Sequence, residues 1–274
     1  MIPAAFDYEV AGSLDDAIRL LGSTGDAKVL AGGHSLLPLM KLRFARPELL
    51  VDVGRLRELS YVREDGDRIA IGALTRHHDL ARSDLLRSAC RIVAETAAQV
   101  GDPQVRHRGT IGGSVAHGDP ASDLPTVLLC LGAELVAQGR GGTRTIPAAE
   151  FFTGFLETAL APDELLTEIR VPTLDGGCAY VKYNRRAQDW ATVAVAVTRL
   201  GDGTRVALTN MGSTPLRAKG VEEALAAGAE SAAAAARAAE GTSPPSDTNG
   251  SAEYRRRLAQ VLTRRALELA ASRS

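Results

Sequence analysis

Apolar positions recur at helical spacing in some stretches of this 274-residue chain and crowd into short runs closed by glycine in others. Residues 13–22 read as a complete helix. Ser13 caps it, Asp15 and Asp16 sit in its first turn, Leu14, Ala17, Ile18 and Leu21 share one face, and Gly22 ends it. Residues 27–31 form a predicted strand running into a glycine loop, and residues 49–53 a second strand closed by Gly54. Helix, strand, loop, strand makes a small α/β unit with its loop at a strand end.

Residues 69–72 are another short predicted strand. Residues 84–100 read as one helix, because Leu85, Ala89, Ile92, Val93 and Ala97 recur at helical spacing. After a second glycine loop come a predicted helix at 124–131 and strands near 134–137 and 164–171. Pro172 and the pair Gly176 and Gly177 mark the expected domain boundary. Beyond it the pattern changes. Residues 179–184, 192–200 and 204–210 read as successive strands, with Gly201, Asp202 and Gly203 as a hairpin turn. Two helices are expected after them, separated by the loop 241–246. The alanine run at 232–236 favours helix, and Tyr254, Leu258, Val261, Leu262 and Leu269 form the apolar stripe of the last one. The fold class is α+β, a larger first part followed by a small three-stranded sheet with helices.

Composition narrows the function classes. The chain is long enough for one large domain or two smaller ones, and 45% hydrophobic with 24% charged residues is ordinary for a globular protein. A net charge of -1 gives no bulk attraction to nucleic acid or anionic lipid. Arg255 to Arg257 and Arg264 with Arg265 therefore read as the wet face of the last helix. No apolar run approaches the ~20 residues of a membrane span. The first residues lack the basic start and long apolar core of a signal peptide, so a cytoplasmic protein is expected. Cys90, Cys130 and Cys178 fit neither a disulfide framework nor an iron–sulfur motif and read as buried thiols in a reducing compartment.

Two glycine pairs carry the candidate chemistry. One lies in Val29, Leu30, Ala31, Gly32, Gly33, His34, Ser35 and Leu36, the other in Gly109, Thr110, Ile111, Gly112, Gly113 and Ser114. Glycine admits positive φ and close backbone approach, so consecutive N–H groups can converge on an anion. Ser35, Thr110 and Ser114 add hydroxyl donors. Neither loop has the G-x-G-x-x-G spacing of a nicotinamide fold or the lysine of a phosphate loop, so two such loops suggest a dinucleotide diphosphate gripped from two sides.

Other residues are ambiguous on their own. His34 invites a metal ligand or a covalent flavin link, but no second set of ligands stands at metal spacing, and a loop histidine valued for its backbone is the simpler reading. Asp119 and Asp123, in a loop before a helix, read either as caps or as acceptors for a ribityl or ribose chain. Arg106 to Arg108 form a solvated face or balance diphosphate charge. Trp190, the single tryptophan, sits in a polar turn between strands, which makes a cleft-facing position plausible beside a core one.

The stretches Leu30 to Lys41, Arg108 to Ser114 and Ala116 to Pro125 resemble the FAD-binding medium subunit of molybdenum hydroxylases, a group including the carbon monoxide dehydrogenase medium chain and the flavin domain of xanthine dehydrogenase. The resemblance covers nearly the whole chain. It implies a two-part FAD-binding domain of the vanillyl-alcohol-oxidase type over residues 1–175, divided into 1–54 and 55–175, and a family-specific C-terminal domain over 176–274. It implies that Val29 to Leu36 and Thr110 to Ser114 wrap the diphosphate of a non-covalent FAD. By position Asp123 matches the acid on the flavin's polyol chain, Lys182 a lysine near the isoalloxazine, and Leu166 an apolar residue against the ring. Trp190 falls where many relatives carry a tyrosine, and Val100 and His117 complete the implied set.

Partners follow from the same resemblance. A large molybdopterin subunit oxidises the substrate, and a small subunit relays electrons through two [2Fe–2S] clusters to this FAD, which passes them to a quinone, NAD or oxygen. A dimer of heterotrimers is the implied assembly, cytoplasmic or peripheral to the inner face of the membrane. No general acid or base is nominated, since the flavin ring carries the redox step. Two further readings stay open on the residues alone: a stand-alone FAD-dependent oxidoreductase, or a non-enzymatic nucleotide-binding module whose glycine pairs are only turns.

Overall fold

The computed structural model describes residues 1–201 and 203–273. The chain opens with a parallel sheet of β1 (Asp7–Val10), β2 (Ala27–Leu30) and β3 (Leu49–Asp52), in the order β1-β3-β2. The helix Leu14–Leu21 makes the crossover, with the Ser13 side chain accepting from Asp16 N as its cap. Its buried residues Ala17, Ile18 and Leu21 pack with Leu49, Val51 and Val53 in one apolar cluster. Two elements here carry no periodic signal. β1 is an edge strand with three exposed residues, held by backbone pairing to β3 rather than by side-chain burial. The helix Leu36–Lys41 is six residues long and takes Pro38 in its first turn, where a missing N–H costs nothing.

The second sheet is antiparallel and uses β4 (Val62–Asp65), β5 (Arg68–Gly72), β6 (Glu134–Gly139), β7 (Gly142–Pro147) and β10 (Leu165–Pro172) in the order β4-β5-β10-β6-β7. A small hairpin, β8 (Phe152–Gly154) and β9 (Glu157–Thr158), precedes β10. Helices between His77 and Leu131 cover the sheet and bury Ile71, Leu80, Ile92, Ile111, Leu128 and Ile169 in the largest apolar cluster. The single helix expected over 84–100 is instead two, Asp84–Ala89 and Arg91–Ala97. Between them Cys90 takes φ -156°, ψ 60°. The Ala89 carbonyl, which a continuous helix would spend on Val93, accepts instead from Leu174 N at 2.7 Å, and Val93 N turns to Cys90 O. A tertiary strap thus breaks a helix whose apolar spacing gave no sign of it.

The third sheet runs β11 (Cys178–Tyr183), β12 (Val193–Leu200), β13 (Gly203–Thr209) and β14 (Leu216–Arg217), all antiparallel. The pairing of Leu200 with Gly203 fits the expected hairpin, while Asp202 lies outside the described residues. The short β14 adds a strand to the three expected. Along β12 the two faces differ in bulk: Val193, Val195 and Val197 join the C-terminal cluster, and Ala194 and Ala196 the central one. Both faces are buried, so this sheet shows near-continuous apolar sequence. The small face lets the helix Asp123–Leu131 lie close, with Cys130 Sγ 3.4 Å from Ala196 O and the Thr126 and Thr209 hydroxyls 2.8 Å apart.

The valine face carries three helices, Lys219–Ala226, Ser231–Ala235 and Ala252–Ala271, rather than two. The expected stripe of the last helix also shifts. Tyr254 and Val261 are exposed, and the buried side is Ala259, Leu262, Thr263, Ala266, Leu267 and Ala270. Alanines let the helix sit close to the sheet, and the fully buried Arg255 donates to the Thr192 carbonyl and to Asp247 (2.7 Å). Leu128, wholly buried on the helix between the second and third sheets, tests this packing. Leu128→Ala is expected to cost about 3 kcal/mol through lost transfer energy and the cavity left behind. Urea unfolding should show a lower midpoint at unchanged slope, and a loss under ~1 kcal/mol would contradict the packing.

Candidate cofactor site

A cavity of about 840 Å³ opens where the first sheet, the second sheet and β11 meet. That volume lies within the roughly 300–1,000 Å³ of ligand clefts. Its lining includes Val29 to Leu36, Val100, Thr110, Gly112 to Ser114, His117, Asp123, Leu166, Lys182 and Trp190. Ile111 alone among the expected residues does not line it. Its side chain is fully buried in the central core, and its N–H donates to Thr75 O at 3.0 Å.

The two glycine loops touch each other. A Cβ on Gly32 would sit 2.5 Å from Arg108 O and 2.7 Å from Gly109 Cα, a separation only glycine tolerates. Gly33 takes φ +75°, turning the chain into the helix Leu36–Lys41. The second loop is fixed from behind in the same way, since a Cβ on Gly112 would meet Ala73 O and Cβ at 2.6 Å.

The loops nevertheless offer different chemistry. Among the described residues, no backbone N–H from Gly32 to Leu36 donates to another protein group, so this stretch presents a run of free donors. The second stretch, expected as a loop, is one only up to Thr110: Ile111–His117 is a helix capped by Thr110, and its first N–H groups are spent inside the protein. Ile111 N donates to Thr75 O, Gly112 N to Ala73 O (2.8 Å), Gly113 N to Thr110 Oγ1 (3.2 Å) and Ser114 N to Thr110 O. The expected grip by backbone amides from both sides is therefore one-sided: Ile111 and Gly112 dock on the turn after β5, while the Gly113 and Ser114 amides are taken by the Thr110 cap of their own helix. What remains there are the hydroxyls of Thr110 and Ser114.

Strand alternation builds the other end of the site. Tyr180 and Lys182 are two apart on β11 and so share a face, directed at Asp123 on the first turn of its helix. The Tyr180 hydroxyl donates to Asp123 Oδ1 at 2.6 Å, and Lys182 Nζ donates to Oδ2 at 2.9 Å and to Gln99 O at 3.3 Å. The side chains of Asp123 and Lys182 are 6% and 5% exposed. Burial pushes the Asp123 carboxyl up, against the pull of Lys182 and the Tyr180 hydroxyl, and burial raises the Tyr180 phenol well above its ordinary range. Asp123 is thus held by internal partners, with one further lone-pair direction on each oxygen for a hydroxyl donor. It is not a cap: Asp119 takes the turn role, accepting from Ala121 N.

Trp190 is half-exposed and lines the cavity, so it belongs to the cleft and not the core. Its loop is tied down by Arg255 on Thr192 O and by Asn210 Nδ2 on Ala191 O at 2.8 Å. Leu166 is buried beside a bulge in β10. Burial lowers the His117 imidazole, opposed by Asp119. His34 turns its Nδ1 back onto Gly32 O at 2.8 Å, and among the described residues no three His, Cys, Asp or Glu side chains gather as metal ligands.

Sequence reasoning missed Tyr180 and His77. The i, i+2 spacing from Lys182 was the available signal for Tyr180. His77 follows Thr75 at a strand-to-helix turn whose role appears only when the second glycine loop folds against it. It is 3% exposed and lines the cavity. Burial and the nearby Arg106 guanidinium lower its pKa to about 4.

Comparisons with known proteins define the family of the chain. A family profile described as the FAD binding domain in molybdopterin dehydrogenase matches residues 4–174, and one described as the CO dehydrogenase flavoprotein C-terminal domain matches 178–270. The chain is 44% identical to the carbon monoxide dehydrogenase medium chain of Hydrogenophaga pseudoflava, with 100% of this chain and 99% of that one covered. It is 40% identical to the 6-hydroxypseudooxynicotine dehydrogenase complex subunit alpha of Paenarthrobacter nicotinovorans, covering 100% and 97%. The solved carbon monoxide dehydrogenase from Hydrogenophaga pseudoflava, in a form lacking the Mo-pyranopterin moiety, superposes with a TM-score of 0.96 at 44% identity over 100% and 99% of the two chains. The chain belongs to the FAD-binding flavoprotein family of the molybdopterin dehydrogenases.

His77 also makes a pH prediction. Its folded pKa of about 4 lies below the unfolded value near 6.5, so the unfolded chain binds the extra proton first. The stability it contributes is complete above pH 6.5 and is lost as pH falls toward 4, about 3 kcal/mol in all. Comparing urea midpoints of wild type and His77→Gln from pH 7.5 to 4 isolates this group. The variant should lose less stability on acidification by that amount, and parallel curves would contradict it.

Proposed function

We propose that this chain is the electron-transferring FAD subunit of a heteromeric molybdenum-containing hydroxylase, with the cofactor lying in the cavity between the glycine loops. The observation that carries this reading is the run of free N–H donors from Gly32 to Leu36, set against the Thr110–Ser114 loop by the Gly32–Gly109 contact. Unpaired donors in a half-enclosed cleft call for an anionic acceptor, and a diphosphate supplies one. The far end suits a flavin ring and its polyol: Leu166 and Trp190 are apolar faces, while Asp123 keeps acceptor capacity and Lys182 places a positive charge nearby.

Bound FAD supplies a centre that takes up and releases two electrons, one at a time or together. The protein's part is to hold and orient it. Gly32 to Leu36 and the Thr110 and Ser114 hydroxyls would hold the diphosphate non-covalently. His34, turned onto Gly32 O, shapes its loop rather than attacking the ring. The Asp123–Lys182–Tyr180 cluster fixes the position of β11 against the flavin-side wall, and the tethered Trp190 loop covers part of the opening.

The domain division at residues 172–177 belongs to the same proposal, supported by the two family profiles meeting between 174 and 178. So do the partners: a small two-cluster [2Fe–2S] subunit that delivers electrons and a large molybdopterin subunit that oxidises the substrate, assembled as a dimer of heterotrimers. The relatives' names cover carbon monoxide and a nicotine derivative at similar identity, which supports substrate choice outside this chain. A cytoplasmic complex, free or peripheral to the inner membrane face, completes the proposal, and three buried free thiols agree with a reducing compartment. Among the described residues no helix is long and apolar enough to cross a membrane.

Trp190 is the single tryptophan, so it reports on the site directly. FAD titrated into the flavin-stripped full chain should bind one to one and quench most of the indole emission, and acid precipitation should return all of the FAD to the supernatant. Failure to take up FAD would sink the function. Uptake with unchanged Trp190 emission would sink the placement of the ring.

A further inference from the structure

The second glycine loop spends its amides on the protein, yet a buried N–H donor stands beside it. His77 opens the helix His77–Arg82, and its own backbone N–H donates to Gly109 O at 3.1 Å. Its ring edge lies against the loop: a Cβ on Gly109 would come within 2.9 Å of Cδ2 and 3.3 Å of Nε2. The opposite nitrogen, Nδ1, is sealed from solvent and has no hydrogen-bond partner. Nε2 is not sealed, and the residue lines the cavity while only 3% exposed, so this nitrogen is the ring's opening to the site.

The tautomer follows from these surroundings. A buried N–H with no acceptor is among the costliest unpaired groups, whereas an unpaired lone pair is better tolerated. With nothing to accept from Nδ1, the ring proton resides on Nε2 and points into the cavity. Arg106 adds positive potential at the ring, with its guanidinium anchored on Val100 O and Gly101 O at 3.1 and 2.9 Å. A neutral N–H donor in a positive field is a phosphate-oxygen site and offers nothing to a cation.

We propose that His77 is a further binding residue for the dinucleotide, donating from Nε2–H to a phosphate oxygen held against the Thr110–Ser114 loop. This rests on the FAD reading of the same cavity and gives the second loop the N–H donor that its own backbone lacks. Gly109 is then glycine for a chemical reason as well as a spatial one, since a side chain there would push the imidazole off the loop.

The test uses the flavin-stripped full chain. His77→Leu should weaken FAD roughly tenfold, the scale of one hydrogen bond to a charged group, and weaken ADP by the same factor. Riboflavin, which has no phosphate, should bind wild type and variant alike, and His77→Gln should recover most of the FAD affinity. In wild type labelled with ¹⁵N-histidine, the His77 ring should show the Nε2–H tautomer, with that proton shifting downfield on FAD or ADP addition. Equal FAD affinity in wild type and His77→Leu, an Nδ1–H tautomer, or a ring signal unmoved by either ligand would overturn the proposal. A His77→Leu chain that fails to fold leaves the wild-type spectrum to decide it. If wild type itself takes up no FAD, the cofactor reading fails first, which is a separate result.

Discussion

The backbone contact between Gly32 and the Arg108–Gly109 peptide governs the rest of this structure. Neither loop could be brought so close with a side chain at residue 32, because a Cβ there would lie 2.5 Å from a carbonyl oxygen. The contact joins the small parallel sheet to the helical layer over the antiparallel sheet, so the cleft between them has a fixed width at one end. The division of labour between the loops follows. The first ends a strand and is free to present its amides, while the second anchors itself on Ala73 and Thr75, so that the side chains of Thr110 and Ser114, with His77 packed beside them, line the cavity. An anion held there is contacted by two kinds of donor, amides on one side and side chains on the other.

The far wall depends on a different device, the two-residue alternation of β11. Tyr180 and Lys182 face Asp123 because Ala179 and Val181 face the C-terminal cluster. A buried ion pair of this kind is weak evidence for stability, since desolvation offsets the attraction. Removing one member alone, however, strands a charge and costs about 3–5 kcal/mol. The pair thus resists change once present, and it locks the helix Asp123–Leu131 to the third sheet at the point where the cavity ends. Arg255 does the corresponding work behind Trp190, reaching from the last helix to the strand entry at Thr192.

Much of this was legible in the sequence, for physical reasons that differ by element. The helix with Ser13 as its cap, the strands around Val51, Ile71 and Val195, and the first glycine loop carry local signals that their tertiary setting preserves, whereas the second glycine pair lies in the first turn of a helix. Nearly all of the expected site residues line one cavity, because glycine pairs and strand ends are local features and the fold brings them together where three sheets meet. What the sequence hid was set by long-range bonds. The break at Cys90 comes from Leu174, the partners of Asp123 from a strand some sixty residues on, and the spent amides of the second loop from Ala73 and Thr75. The last helix was read only in part: Leu258, Leu262 and Leu269 of the expected stripe do pack in or against the C-terminal cluster, but Tyr254 and Val261 are exposed and small residues such as Ala259, Ala266 and Ala270 complete the buried side.

The most direct measurement of the central contact is the FAD affinity of Gly32→Ala, set beside Gly25→Ala, whose added methyl meets nothing within 4 Å. The loop-contact account predicts at least a hundredfold loss of FAD binding in Gly32→Ala, with the far-UV spectrum kept and Gly25→Ala close to wild type. FAD bound by Gly32→Ala as tightly as by wild type would mean that the two loops do not form the cradle, and the account would fall with it.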